Sequence, residues 1–246
     1  MKRFILAVAL VSMHLAVLSF AQSPLDQIFK KPGDTAQSST PGGLGLSNDK
    51  IAAGLKEALT VSTGKAVAAT GRPDGYLKNQ AIKILLPDKL QTVAKGLRLM
   101  GRGAEMDELE VAMNRAAEQA APHAKPIFIN AVKKMSFDDA RKILSGGDTA
   151  ATEYFKKQSS QELTTAFTPI VHTAMENVGV IKQFNGVMSS SVAGPLAGQG
   201  FNLDRYVVGK SLDGLFYMLG EEEKKIRKDP AAQATSLLKQ VFGKAR

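Results

Sequence analysis

The chain has no cysteine and no tryptophan among its 246 residues, and only three histidines. The missing cysteine excludes disulfide staples, thiolate metal sites and lipidation at a processed amino terminus. A fold of this length is then held by packing alone, which a single core of this size can supply. Aromatic residues are 6% of the chain, which leaves little stacking surface for single-stranded nucleic acid. Past the amino terminus no segment has the ~18 uninterrupted apolar residues that a membrane span needs. Sustained strand-type alternation is missing as well, and no fixed-period repeat argues for a solenoid.

What is present begins with a basic and apolar amino terminus. Lys2 and Arg3 precede an apolar stretch from Phe4 to Val11 that continues through Leu15, Val17 and Leu18. Small residues at Ser19 and Ala21 complete a secretory signal peptide, with cleavage expected between Ala21 and Gln22. Removing residues 1–21 leaves 30 basic and 23 acidic residues, a net charge of +7. Residues 22–46 read as a flexible linker rich in Gly, Ser, Thr and Pro, and residues 47–246 as a single helical domain.

The domain is expected to be all-α, a compact bundle of many short helices with a central buried helix near the carboxyl terminus. Ser47 is a plausible cap for a first helix with Ile51, Leu55 and Leu59 on one face. Pro73-Asp74-Gly75 marks a turn. A second helix is expected over Tyr76 to Leu85, with Ile82 and Leu85 inward. A third starts at Pro87, carries Leu90, Val93, Ala94, Leu97 and Met100, and stops at Gly101 and Gly103.

Next, Met106, Leu109, Met113, Ala116, Ala117 and Ala120 share one helix face, with Asp107, Glu108, Arg115 and Glu118 on the other. Pro122 ends that helix, and Ile127, Phe128, Ala131 and Met135 mark a short one. Ser136 and Asp139 form a capping box, and Asp148 is expected to cap the helix after Gly146-Gly147. Leu163, Phe167, Ile170, Val171 and Ala174 share a face, with a kink expected at Pro169. Ile181, Phe184 and Met188 mark another helix, and Gly194 to Gly200 a loop. Asn202 caps a long helix through Met218, and Asp229 with Pro230 opens a last one carrying Leu237, Leu238 and Val241.

The succession Gly75-Tyr76-Leu77-Lys78-Asn79, Leu86-Pro87, Asn114-Arg115-Ala116-Ala117-Glu118, Asp139-Ala140-Arg141-Lys142-Ile143-Leu144, Tyr154-Phe155 and Lys210-Ser211-Leu212-Asp213-Gly214-Leu215-Phe216 resembles an uncharacterised exported bacterial family, domain of unknown function 4197. The resemblance covers nearly all of the chain after the linker. It implies an exported helical protein and carries no catalytic residue with it.

Chemistry-bearing patterns are sparse. His172 and Glu176 lie four apart and share a helix face, yet a metal site needs a third ligand that the spacing does not offer. Gly209-Lys210-Ser211 matches the end of a phosphate-binding loop, but Asp204 stands where that motif needs glycine. Ser145 to Thr149 could hold an anion at a helix start, a place that the Asp148 carboxylate is expected to fill itself. Asp138 and Asp139 point about 100° apart on a helix, so they cannot work as an acid–base pair.

The most informative stripe is Tyr206, Lys210, Asp213 and Tyr217, at helical spacing on an otherwise apolar helix. It is the candidate ligand-binding set, with a boundary stripe at the water interface as the bland alternative. No catalytic residue, metal or cofactor is assigned. The function expected is that of a periplasmic or secreted cell-envelope protein, a non-enzymatic binding or interaction module. Its partner would be a small apolar or polar-headed ligand, or an envelope protein; no nucleic acid is expected. The alternatives are an enzyme with a cryptic site on the Tyr206/Lys210/Asp213/Tyr217 stripe, or peripheral association with anionic envelope surfaces.

Overall fold

A computed structural model describes residues 48–101, 103–177, 186 and 202–228. The expected signal peptide with its Ala21/Gln22 cleavage point, the linker and the Ser47 cap lie outside these residues. So do Ile181, Phe184 and Met188, which mark a helix, the loop from Gly194 and the helix opened by Asp229.

The described residues form an all-α bundle without strands. In chain order the helices are α1 (Asn48–Gly71), α2 (Asp88–Leu99), α3 (Gly103–Ala120), α4 (Ala124–Lys134), α5 (Phe137–Ser145), α6 (Ala150–Asn177) and α7 (Leu203–Lys228). A 3-10 turn, Ala121–His123, carries Pro122 and joins α3 to α4. Three helices are long, α1, α6 and α7 with 24, 28 and 26 residues, and α2 packs on α3. Pro169 lies within α6 and does not end it.

The apolar periodicity names the core correctly at most positions. Ile51, Leu55 and Leu59 of α1 are buried, as are Met106, Leu109, Met113 and the alanines at 116, 117 and 120 of α3. Leu163, Phe167, Val171 and Ala174 of α6 join them. Phe128 of α4 ties the layers together: its ring meets Phe155 of α6 edge-on at 5.1 Å and Phe216 of α7 at 6.1 Å. Such aromatic contacts are worth about 1 kcal/mol beyond the area they bury.

Helix α7 is the central helix. It packs most closely on α6 and α1 and also touches α3. Asn202 caps it through a 2.7 Å bond from the Arg205 N–H to its side-chain oxygen. The Ser136/Asp139 capping box of α5 is present in both directions. Buried hydroxyls on α1 bond back along the helix: Thr63 to the Leu59 carbonyl and Thr70 to the Ala66 carbonyl, both at 2.8 Å. Back-bonding satisfies these hydroxyls without a tertiary partner.

Several expectations are corrected. Residues 76–85 are not a helix. They belong to a strap over 72–87, made of turns and then extended chain. Pro87 holds Leu86 away from helical angles, and side chains of α3 take up the strap's backbone groups. Ile82 is buried as expected, but Leu85 is 54% exposed. Met100 is likewise exposed, because α2 ends at Leu99 and Gly101 turns the chain with φ +77°. Gly103 opens α3 and stops nothing.

Glu118, placed by its charge on the outer face of α3, is 5% exposed. Asp148 does not cap α6, since its carboxylate pairs with Lys228. The cap comes from α7: Glu223 accepts from the Ala151 N–H, the Thr152 N–H and the Thr152 hydroxyl, each at 2.8 Å.

Candidate functional site

The strap's seat explains the site. Glu110, Asn114 and Glu118 follow one another at four-residue spacing on α3, which puts them in one stripe beneath the strap. Glu110 pairs with Lys83 at 2.7 Å. The Asn114 amide accepts from the Ile84 N–H at 2.9 Å and donates to the Ile84 carbonyl at 2.8 Å, the two-point pairing a β-strand would offer. Glu118 accepts from the Tyr76 and Leu77 N–H groups, both at 3.1 Å. Its other oxygen meets Arg115 at 2.6 Å, and Arg115 reaches on to Asp74 at 2.7 Å.

The Arg115 pKa is raised by these two carboxylates, Glu118 first. That of Asp74 is held below the usual carboxylate range, by Lys78 first and then Arg115.

Two glycines let the strap lie this close. A Cβ on Gly75 would sit 2.5 Å from the Ala69 carbonyl oxygen, and one on Gly214 would sit 2.6 Å from the Tyr76 ring. Tyr76 is fully buried, and its hydroxyl donates to the Ser211 carbonyl of α7 at 2.5 Å. Burial drives its pKa far above the ordinary tyrosine range, with Glu118 and Asp213 adding to the rise. This phenol is a neutral structural donor.

Between the seated strap and α7 lies an open cleft of about 610 Å³. The strap gives it Leu85, Leu86 and Pro87, α2 gives Asp88 and Gln91, and α7 gives Tyr206 and Lys210. The Tyr206 hydroxyl donates to the Leu85 carbonyl at 2.9 Å, joining the two walls. Its pKa is raised, chiefly by burial and then by the Asp88 carboxylate.

The four candidate residues share one face of α7 but not one cleft. Tyr206 and Lys210 line the first. Asp213 and Tyr217 line a second of about 290 Å³, which α7 makes with the start of α6 and which Thr152 and Phe216 also line. Lys210 and Asp213 pair at 3.6 Å across the exposed ridge between them.

The remaining candidates are accounted for locally. His172 has its Nδ1 2.7 Å from Asp204 and its Nε2 3.3 Å from Glu176. Its two nitrogens thus face different carboxylates, and no group that could hold a metal ion occurs among the described residues. The Asp204 bond, then its charge and that of Glu176, raise the His172 pKa above 6.5. Lys210 sits within a continuous helix and not in a phosphate loop. The anion position at the start of α6 is filled by the Glu223 carboxylate, itself clamped by Arg227 at 2.8 Å.

Among the described residues no helix is long and apolar enough to cross a membrane. The family model described as "Protein of unknown function (DUF4197)" matches residues 45–243. No curated protein and no solved structure matches the chain.

Proposed function

Since the chain belongs to the DUF4197 family of proteins of unknown function, we propose for it the role of an exported binding module of the cell envelope, non-enzymatic, with its ligand held between the strap and α7. One observation carries this: the cleft of about 610 Å³ in which strap, α2 and α7 meet. Its size falls in the ordinary range for small-molecule sites, roughly 300–1,000 Å³. Its lining joins apolar Leu85, Leu86 and Pro87 to a few polar groups, the mixture that binds and orients a ligand. Export is supported by Lys2, Arg3, the apolar run and the small residues before Gln22.

The test begins with the full chain expressed in a bacterium with two membranes. The periplasmic fraction should hold a form whose intact mass corresponds to cleavage before Gln22. Native mass spectrometry of that form should show a retained small molecule that Lys210→Met loses. An uncleaved chain confined to the cytoplasm would sink the export half. A clean apo mass, together with no change in thermal stability across a metabolite panel, would sink the binding half.

A further inference from the structure

Lys210 and Asp88 face the same cleft from different helices, and no ion pair joins them among the described residues. The Lys210 ammonium has Asp213 at 3.6 Å, a long and exposed pair. The Asp88 carboxylate accepts from the Gln91 side-chain amide at 3.0 Å. Lys83 lines the cleft too, but Glu110 compensates it at 2.7 Å. The cleft therefore offers one loosely held cation and one carboxylate, from opposite elements, over an apolar surface.

We propose that this cleft binds a small zwitterion with an apolar body, namely a di- or tripeptide with free termini. Its carboxylate meets Lys210, its ammonium meets Asp88, and its side chains lie on Leu85, Leu86 and Pro87. The proposal rests on the reading of the cleft as the ligand site and adds the class of ligand.

Charge complementarity selects this class over the others. A neutral lipid closing over the cleft would strip water from Lys210 and Asp88 and return nothing to either. An anionic amphiphile would satisfy Lys210 and face Asp88 as a like charge, and a cationic one would do the reverse. A zwitterion gives each group a charge-assisted hydrogen bond. Size agrees: two or three extended residues span roughly 7–10 Å, and a space of 610 Å³ has an edge of roughly 8 Å.

Isothermal titration of the processed full chain with three probes tests this: Leu-Leu, N-acetyl-Leu-Leu and Leu-Leu amide. Leu-Leu should bind. Acetylation should weaken binding by about tenfold in the unaltered protein, the loss of one charge-assisted contact, and by little in Asp88→Asn. Amidation should cost about as much in the unaltered protein and little in Lys210→Met. Both substitutions change exposed side chains, and circular dichroism verifies that the variants fold.

Equal affinity for free and capped peptides would overturn the proposal, as would capping penalties that persist in the variants. If Leu-Leu does not bind while another molecule is retained in a Lys210-dependent manner, the zwitterion falls and the binding role stands. If nothing titrates and nothing is retained, both fall.

Discussion

Asn114 and Glu118 do work that their residue types do not announce. Each satisfies backbone groups of the strap from within α3. Asn114→Ala leaves the Ile84 N–H and carbonyl without partners. It should therefore lower unfolding stability by about 2–4 kcal/mol, measured by urea titration. A loss under about 1 kcal/mol would mean that the strap is seated by other contacts. Glu118→Gln keeps an acceptor for Tyr76 and Leu77 but turns its amide NH2, a donor, toward half-exposed Arg115, so the charge and the hydrogen bond on that side are both lost. It should cost about 1 kcal/mol, whereas Glu118→Ala should cost about 3 kcal/mol.

His172 adds a pH dependence. Because its folded pKa lies above its ordinary value of 6.5, its contribution is complete below pH 6.5 and fades as pH rises through the folded value. The melting-temperature gap between the protein and His172→Gln should shrink from pH 5 to pH 8. A gap that does not change with pH would refute the charged bridge to Asp204 and Glu176.

At the scale of elements, α7 caps α6 from outside. Glu223 takes three donors at the α6 start, and Arg227 anchors it while donating to the Ile143 carbonyl at the end of α5. One carboxylate–guanidinium pair thus fastens three helices. Removing one partner of a buried pair is expensive because the other is left uncompensated. Glu223→Ala should cost about 3–5 kcal/mol and should speed hydrogen exchange at the Ala151 and Thr152 amides. Unchanged exchange there would show that α6 does not depend on this cap.

The strap is the second such element. Gly75→Ala would press a Cβ against backbone oxygens that cannot move aside. The variant should lose stability, measured by urea titration, and the binding proposed for the cleft should weaken with it.

At the scale of the molecule, the cleft exists because the strap is not a helix. Residues 76–85 carry helix-compatible side chains. However, their backbone bonds are taken by Asn114 and Glu118, and Tyr76 is held under Gly214. With the strap seated, Leu85 turns outward to line the cleft beside Tyr206. A Leu85→Ser substitution should leave stability nearly unchanged, since that side chain is already half in water. It should weaken the proposed binding several-fold, read by isothermal titration with Leu-Leu.

The sequence by itself determined the helical class, the apolar face of most helices, the Ser136/Asp139 box, the Asn202 cap and the family resemblance. These signals are local: a helix repeats every 3.6 residues, and a cap acts within a turn. What only the tertiary structure decided is where the polar residues go. Glu118 meets a partner 42 residues away, Glu223 one 72 away and Tyr76 one 135 away. A signal was present in the Glu110, Asn114 and Glu118 stripe and in Leu86-Pro87, which together argue against a helix packed on α3 there. The division of the Tyr206 to Tyr217 stripe between two clefts could not be read locally. Helical spacing puts residues on one face, while the neighbours packed beside that face decide which cleft each residue lines.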